Sequence, residues 1–351
     1  MTRKVYKRNG MEKTNSSNAG IREVARLARV SPATVSRVLN GAEQVGEEYR
    51  RRVLDAVAQT DYRPNRLARN LRRQRAEMIG VAVSDIENPH FSEAVRVVED
   101  EAYRAGYRVL LCNTDETPEK QRAYLEMLAD ERVVAAIVSP ADAACTGVEA
   151  LLALDIPVVA FDREILDPRA DAVVCDNVAG ARRATEHLIW LGHERIAFLG
   201  GNPEVETGAE RLQGYTDAMR AAGLLPFSLG GGFRADAAQA AVTDLLALAT
   251  PPTALVVANN LMTLGTLRAV RDAEVKVPHD LAVVSFDDPP WAELVDPPLT
   301  TLAQPVRRMA SNAMQLALER VEGDRTEPRR IVLPLEFRVR SSCGARGAAA
   351  S

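Results

Sequence analysis

From residue 78 onward, short apolar runs of β type alternate with longer amphipathic stretches over about 260 residues. Neighbouring parallel strands need a crossover connection, usually a helix, so this alternation predicts parallel α/β sheets. The stretch is longer than an ordinary domain, which predicts two lobes with one sheet each. The predicted strands cover residues 79–83, 108–112, 135–138, 158–161, 173–175, 195–199, 254–257 and 281–285. The predicted helices cover residues 92–105, 118–130, 178–191, 207–222, 236–249 and 261–273.

Three shorter amphipathic segments precede the α/β part, and the first covers residues 21–28. The second begins after Ser31, whose hydroxyl suits an N-cap, has Pro32 at its first helical position and ends at Asn40-Gly41. The third covers residues 47–59. The side chains expected to face inward are Ile21, Val24, Ala25, Leu27, Ala28, Val35, Val38, Leu39, Val53, Leu54 and Val57. Two short helices joined by a tight turn and followed by a third predict a helix-turn-helix head.

The net charge of −4 hides a strong asymmetry between the head and the rest of the chain. Residues 1–75 carry 18 Lys and Arg against 7 Asp and Glu, a net charge of +11. The remaining residues carry 26 against 41, a net charge of −15. A small basic head on a large acidic body indicates contact with nucleic acid, although a solvated basic surface would give the same count.

Four segments lack the pattern of an independently stable fold. Residues 1–19 predict a disordered basic tail, within which Met11 is an alternative start. Residues 62–65 interrupt the helical pattern, and the basic stretch 66–73 is too short to form a stable helix alone. We therefore expect it to order only on a partner. Residues 343–351 are small and polar and predict a frayed end.

Composition excludes several classes of protein. No run approaches the roughly 18 apolar residues of a membrane span, and the N-terminus lacks the apolar core of a secretory signal. The cysteines have no CxxC spacing, which argues against a disulfide scaffold or a zinc site and fits a reducing cytoplasm. Their positions are Cys112, Cys145, Cys175 and Cys343. We expect no metal and no cofactor.

Several short motifs occur in a fixed order along the chain. The first two are IREVARLARVSPATVSRVLNG at 21–41 and YRPNRLARNL at 62–71. The later motifs are DR at 162–163, DN at 176–177, HLIWLGHERIAFLGG at 187–201, RLQGY at 211–215, VANNLMTLG at 257–265, and VVSFDD, W and DPPLTTLAQP between 283 and 305. In this order, and over about residues 20–342, the chain resembles the lactose/galactose repressor (LacI/GalR) family of bacterial transcription regulators. The first two motifs are similar to the family's helix-turn-helix and hinge helix, and residues 79–128 are similar to the opening of its effector domain.

The resemblance implies a homodimeric, cytoplasmic regulator, most often a repressor, that binds a pseudo-palindromic double-stranded DNA operator and a small effector. It implies an N-terminal helix-turn-helix head plus a two-lobed, periplasmic-binding-protein-like effector domain with parallel sheets. The implied DNA-binding domain is 20–62, the hinge helix or linker 63–76 and the effector domain 77–342. The implied crossovers between the lobes lie near residues 175–177, 302–304 and 322–328. Lobe one would then be 77–175 and 304–322, and lobe two 176–303 and 328–342.

The resemblance places the DNA-reading residues on the second helix and in the hinge. Pro32, Ala33 and Arg37 would read bases, and Arg37 can form a bidentate pair with guanine or bind a phosphate instead. Arg29 stands in the turn, where a left-handed backbone is strained for arginine. In the hinge, Leu71 would wedge into the central base step, unless it packs on the effector domain. The residues expected to contact DNA are Ser31, Pro32, Ala33, Thr34, Ser36, Arg37, Asn40, Arg69 and Leu71, with Arg72 and Arg73 as further phosphate contacts.

The same resemblance places eight residues near the cleft between the lobes. Arg211 can bind two adjacent oxygens through its guanidinium fork, or it can be a structural ion pair. Phe91 or Trp291 could stack on a sugar ring, and each could instead be ordinary core. Asn260 stands where many relatives have Asp, which removes a negative charge and leaves room for an acidic sugar. The eight residues are Asp85, Phe91, Arg163, Asn177, Arg211, Asn259, Asp287 and Trp291.

Two other functional classes fit the sequence less well. For an enzyme, His187 and His193 are the histidines to consider, but they have neither a ligand spacing nor a paired nucleophile. The glycines at 230–232 belong to no phosphate-binding motif. A sugar-binding transport protein would need a signal peptide and would lack the basic head. We therefore expect a DNA-binding regulator, a dimer since no C-terminal leucine heptads follow, whose effector is a sugar or a sugar acid.

Overall fold

The computed structural model describes residues 21–39, 45–60, 77–202 and 204–344. The chain divides into two compact units, residues 1–74 and residues 75–351. The predicted tail 1–19, the hinge segment 63–76 and residues 345–351 lie outside the described residues. No helix in the described part is long and apolar enough to cross a membrane.

The first unit contains the three predicted helices, α1 (Ile21–Ala28), α2 (Pro32–Leu39) and α3 (Glu47–Thr60). Their shared core consists of Val24, Ala25, Ala28, Val35, Val38, Val53 and Ala56. Leu27 and Leu54 were predicted to face inward, but they are 41% and 51% exposed. The prediction is wrong for these two leucines because the helices pack closely. Ala25, Ala28 and Ala56 fill the space between them, which leaves no room for a larger side chain.

The turn between α1 and α2 has the backbone that the sequence predicts. Arg29 has φ 50°, in the left-handed region. The Ser31 hydroxyl accepts from the backbone N–H of Thr34 at 3.1 Å and so caps α2. Arg52 of α3 donates to the carbonyl oxygens of Ala28 and Arg29. These bonds fix where α2 starts relative to the other two helices.

Lobe one is a six-stranded parallel sheet covered by helices on both faces. Its strands are β1 (Met78–Val83), β2 (Arg108–Asn113), β3 (Ala135–Val138), β4 (Val158–Phe161), β5 (Asp171–Cys175) and β11 (Arg330–Leu333). The strand order is β11-β5-β4-β3-β1-β2. Its helices are α4 (Pro89–Arg104), α5 (Pro118–Asp130), α6 (Val148–Leu152) and α11 (Val306–Glu322), of which α11 packs against α4.

Lobe two repeats this architecture. Its strands are β6 (Ile196–Gly200), β7 (Phe227–Gly230), β8 (Ala254–Val257), β9 (Ala282–Phe286), β10 (Thr300–Ala303) and β12 (Glu336–Arg338), in the order β12-β10-β9-β8-β6-β7. Only β12 runs antiparallel, against β10. Its helices are α7 (Asn177–Trp190), α8 (Glu206–Ala221), α9 (Ala235–Leu246) and α10 (Asn260–Asp272), and a 3₁₀ turn covers Pro290–Glu293. The sheet interior is mostly apolar, as expected of strands covered on both faces, although Ser285, Thr300 and Thr301 are also buried in it.

The chain crosses between the lobes after β5, after β10 and between β11 and β12. The third crossover, predicted at 322–328, is therefore wrong: residues 330–333 pair with β5 in lobe one. Buried Asp171 explains this placement, because it accepts from the Arg320 guanidinium at 2.8 Å and from the Arg329 backbone N–H at 2.7 Å. The frayed end is also predicted too early, since Cys343 is fully buried.

Candidate effector cleft and DNA-reading helix

The carboxyl ends of the strands in both lobes meet around one small cavity of about 40 Å³. Parallel strands bring the residues that follow them to one edge of a sheet, which is where ligands of such folds bind. Six of the eight predicted cleft residues line this cavity: Asp85, Phe91, Arg163, Arg211, Asn259 and Asp287. Their contact with an effector remains a prediction.

Arg211 of α8 is held rigidly at the cavity wall. Its Nε donates to Asn177 Oδ1 at 2.8 Å, and one terminal nitrogen donates to the Ala258 carbonyl at 2.7 Å. Its guanidinium carbon lies 4.4 Å from the ring centre of Phe286. Asn177 does not line the cavity, so its place is behind Arg211, where it orients the guanidinium. Both of these bonds of Arg211 go to neutral oxygens, which leaves its positive charge available to the cleft.

Arg163 is engaged with the protein itself. It forms two hydrogen bonds of 2.6 Å with the carboxylate of Glu116 and one of 3.0 Å with the Pro140 carbonyl. Its side chain is 6% exposed. Because Glu116 neutralises it, Arg163 gives little support to the expectation of an acidic ligand.

Asp287 follows β9 and is 7% exposed, with a left-handed φ of 67°. One carboxylate oxygen accepts from the Asn260 backbone N–H at 3.1 Å and the other from Gln304 Nε2 at 2.7 Å. Gln304 follows β10 at a crossover, so these bonds tie the acceptor to the connection between the lobes. A carboxylate held in this way can accept further hydrogen bonds from ligand hydroxyls.

His90 lines the cavity and was missed from the sequence. Its Nε2 lies 3.4 Å from Asp162 Oδ1, and both side chains are at least nine-tenths buried. Burial disfavours the imidazolium, but the adjacent carboxylate outweighs this effect and raises the pKa of His90. Burial likewise disfavours the carboxylate, yet His90 and Arg163 lower the pKa of Asp162 to about 2. This buried pair therefore keeps its charges together.

Further lining residues were also missed, namely Asn88, Glu116, Thr207, Gly232, Phe233, Arg234, Leu261 and Gln304. Phe233 supplies a second aromatic beside Phe91, and the glycines at 230–232 that precede it were the available signal. Gly201 fits closely against Phe233, since a Cβ at Gly201 would lie 1.9 Å from its ring. Trp291 does not line the cavity and packs on the core of lobe two instead.

A larger cavity of about 690 Å³ lies on the side of the crossovers. His90, Asp287 and Gln304 line both cavities. The other walls of the larger cavity come from the start of α4, the loop after β9 and the start of α11, and include Pro89, Pro290 and Arg307. The two cavities thus share one wall between the lobes.

Helix α2, which is predicted to read DNA, presents most of its predicted contact residues to solvent. Ser31, Pro32, Ala33 and Arg37 are exposed, while Thr34 and Ser36 are half-buried. The Ser31 and Thr34 hydroxyl groups lie 2.9 Å apart and share a hydrogen bond. The predicted contacts Asn40, Arg69 and Leu71, together with Arg72 and Arg73, lie outside the described residues.

The residues considered for catalysis lie in packing positions. His193 Nδ1 is 3.0 Å from the Thr253 hydroxyl, and His187 Nε2 is 3.3 Å from the buried Cys343 sulfur. Burial lowers the pKa of both histidines. Burial also raises the pKa of Cys145 and Cys175 to about 12, which keeps these thiols protonated. Within the described ranges, no cluster of His, Cys, Asp and Glu could hold a metal ion.

Comparisons with known proteins agree with this architecture. The family of bacterial regulatory proteins called lacI matches residues 20–65, and a periplasmic binding protein-like domain matches residues 185–343. The HTH-type transcriptional repressor PurR of Photobacterium profundum is 36% identical over 328 residues, which cover 92% of this chain and 98% of that protein.

Solved structures match equally broadly. The Lac repressor dimer bound to operator and the anti-inducer ONPF has a TM-score of 0.82 at 28% identity, covering 93% of this chain and 99% of that one. The complex of the transcriptional regulator CelR with cellobiose has a TM-score of 0.70 at 32% identity, covering 92% and 99%. With its head, its two lobes and relatives that match almost from end to end, the chain belongs to the LacI family of bacterial regulatory proteins, which are DNA-binding transcription regulators and not enzymes.

Proposed function

We propose that this protein represses transcription by binding a pseudo-palindromic operator as a homodimer, and that a small molecule between the lobes controls this binding. One helix-turn-helix reads only a half-site, so two copies are needed for a palindrome. The exposed N-terminal end of α2 and the exposed Arg37 in its last turn support DNA reading, and the +11 charge of residues 1–75 supports phosphate binding. Such a regulator works in the cytoplasm, where the chromosome lies.

The proposed effector is a sugar or a sugar acid. The observation that carries this proposal is the mixture of groups at the strand ends: Arg211 as donor, Asp287 as acceptor, and the rings of Phe91 and Phe233. Adjacent hydroxyl groups suit a guanidinium and a carboxylate, and a C–H face of the sugar suits an aromatic ring. The cellobiose bound to CelR, a relative of the same architecture, also supports a sugar.

The site argues more for a neutral sugar than for an acid. Arg163 is paired with Glu116, and Asp85, Asp162 and Asp287 place three carboxylates around the cavity. Among the described residues, the arginines that line the cavity are Arg163, Arg211 and Arg234. Arg163 is neutralised and Arg234 is exposed, so Arg211 is the buried guanidinium that can meet an anionic group. A thermal-shift screen of sugars, sugar acids and nucleosides decides among these classes, because a ligand raises the melting temperature according to its affinity for the folded state.

Replacing Arg211 tests the cleft. We expect Arg211→Ala to lower the binding affinity for the effector found in the screen by about ten- to hundredfold, because hydrogen bonds from a charged group are lost. Operator binding without effector should stay near the wild-type value. Calorimetry measures effector binding, and a mobility-shift assay measures operator binding by the same variant.

Arg220→Ala is the matched control, since Arg220 is exposed on the same helix. It should leave both measurements unchanged. An unchanged effector response in Arg211→Ala would show that the cleft assignment is wrong. A simultaneous loss of operator binding would mark Arg211 as a structural residue, held as it is by Asn177 and Ala258.

A further inference from the structure

The two lobes touch directly across the cleft through a pair of buried asparagines. Asn260 Nδ2, at the start of α10 in lobe two, donates to Asn88 Oδ1 in lobe one at 2.9 Å. Asn88 is 8% exposed and Asn260 2% exposed. Beside them, the backbone N–H of Glu164 in lobe one donates to the carboxylate of Glu206 in lobe two. These two contacts join the lobes across the cleft.

The orientation of each amide in this pair is fixed by its other contacts. Asn88 is the N-cap of α4, and its Oδ1 accepts from the His90 backbone N–H at 3.0 Å. A flipped Asn88 would lose this cap, so its oxygen must face Asn260. Asn260 can therefore form a hydrogen bond with Asn88 Oδ1 only by donating from its NH₂ group. Its backbone N–H meanwhile donates to Asp287, and its own Oδ1 has no hydrogen-bond partner among the described residues.

The size of the cavity shows what this closure means for a ligand. A volume of about 40 Å³ holds one or a few water molecules, whereas sites for small molecules measure about 300–1,000 Å³. A sugar cannot occupy the central cavity until the lobes separate. We propose that the Asn88–Asn260 hydrogen bond closes the cleft before any effector arrives, so that these two asparagines position the lobes and set the population that can accept a ligand.

Asn260 is the chemically critical member of the pair. A carboxylate at this position has no hydrogen to donate to Asn88 Oδ1, and it would stand next to the carboxylate of Asp287. Closure would then need a ligand to supply donors. An amide removes that requirement, and the apparent affinity for an effector that enters the open form falls in proportion to the open fraction.

The test measures the distance between the lobes in the full-length protein without DNA or effector. Spin labels are placed on cysteines introduced by Glu119→Cys in α5 and Asp236→Cys in α9, one on each lobe and both exposed. All four native cysteines are buried, so labelling is selective. Mixing with an excess of unlabelled protein confines the measured distance to one protomer. The wild type should give one short distance.

Asn260→Asp should open the cleft at about pH 8 and raise the open-to-closed ratio about tenfold. Burial beside the carboxylate of Asp287 should raise the pKa of the introduced carboxyl above its usual value of about 3.9. Lowering the pH to about 5 then increases the protonated fraction, which can donate to Asn88 Oδ1, so the short distance should return in part. His90, Asp162 and Asp287 also surround this position, and the wild type measured at both pH values is the control for any effect of pH that does not depend on Asn260→Asp. A merely structural role for Asn260 would give no such recovery in acid.

Two further variants complete the experiment. Asn88→Ser keeps a hydroxyl cap on α4 but is too short to reach Asn260, so it should open the cleft at both pH values. Asn202→Asp makes the same chemical change at an exposed position of lobe two and should leave the distance unchanged. A wild type that is open without effector, or an Asn260→Asp protein that stays closed at about pH 8, would overturn the proposal. Effector control itself rests on the proposed function, but this measurement uses neither ligand nor operator and can fail independently of it.

Discussion

At the residue scale, the cleft contains an ion pair that no local sequence pattern reveals. Asp85, Asp162 and Asp287 each follow a strand, so the place of each at the carboxyl edge of its own sheet could be predicted from the alternation of strands and helices. His90 lies in the first turn of α4 and Gln304 lies at a crossover, so neither is marked by the strand-end pattern, although both line the cavity. Trp291, with an equally suggestive residue type, packs on the core instead.

The His90–Asp162 pair predicts how stability depends on pH. The folded state raises the pKa of His90 above its usual value of about 6.5, so this group stabilises the fold fully below that pH. Its contribution is lost as the pH rises from there through the raised pKa. We expect His90→Gln to flatten this decline in melting temperature, measured calorimetrically from about pH 5 to about pH 9.

His279→Gln serves as the control, because His279 is exposed on lobe two. It should keep the wild-type pH profile. His187 and His193 have lowered pKa values and contribute with the opposite sign, but they are present in both variants and cancel in the comparison. Parallel profiles for wild type and His90→Gln would contradict the ion-pair interpretation.

At the scale of elements, apolar content decided which strands could be predicted. The strands buried on both faces, such as β3, β4 and β8, agree with the predicted bounds. The missed strands are β7, which is largely exposed, β10, which begins with two threonines, and the short pair β11 and β12. Their pairing depends on the neighbouring strand and on anchors such as Asp171, which a single sequence does not display.

The start of α2 allows its folding role to be separated from its DNA role. We expect Ser31→Ala to remove the cap and destabilise α2 by about 1 kcal/mol, which makes its amides exchange about fivefold faster. Ser31→Asp retains an oxygen that can cap the helix, so exchange should stay slow, but its charge should repel a phosphate and weaken operator binding. Hydrogen exchange and a fluorescence titration on both variants measure the two effects. Equal operator affinity in wild type and Ser31→Asp would remove Ser31 from the predicted DNA contacts.

At the scale of the whole molecule, charge is divided between two units with different tasks. The acidic body carries −15 and the basic head carries +11, so the low net charge of −4 conceals a strong local field. Arginines dominate the positive residues of the head after the first 20 positions, and arginine is suited to bidentate contacts with phosphate and guanine. The body repels DNA except where the head contacts it, which favours binding through the head alone.

This division predicts steep salt dependence of operator binding by a dimer. Each phosphate neutralised by Lys or Arg releases counterions, so the logarithm of the binding constant falls linearly with the logarithm of salt concentration, with a slope of about −0.9 per contact. Two heads that each make several contacts should lose about a thousandfold or more in affinity between about 50 and 200 mM salt. A fluorescence titration across this range gives the slope, and sedimentation at micromolar concentration gives the oligomeric state.

Reversing charge on the body, for example by Glu99→Lys, should change the slope little, because that exposed residue is not part of the head. Binding that is insensitive to salt, or a monomer that binds the complete operator, would show that the basic head is a solvated surface and that the half-site argument is wrong.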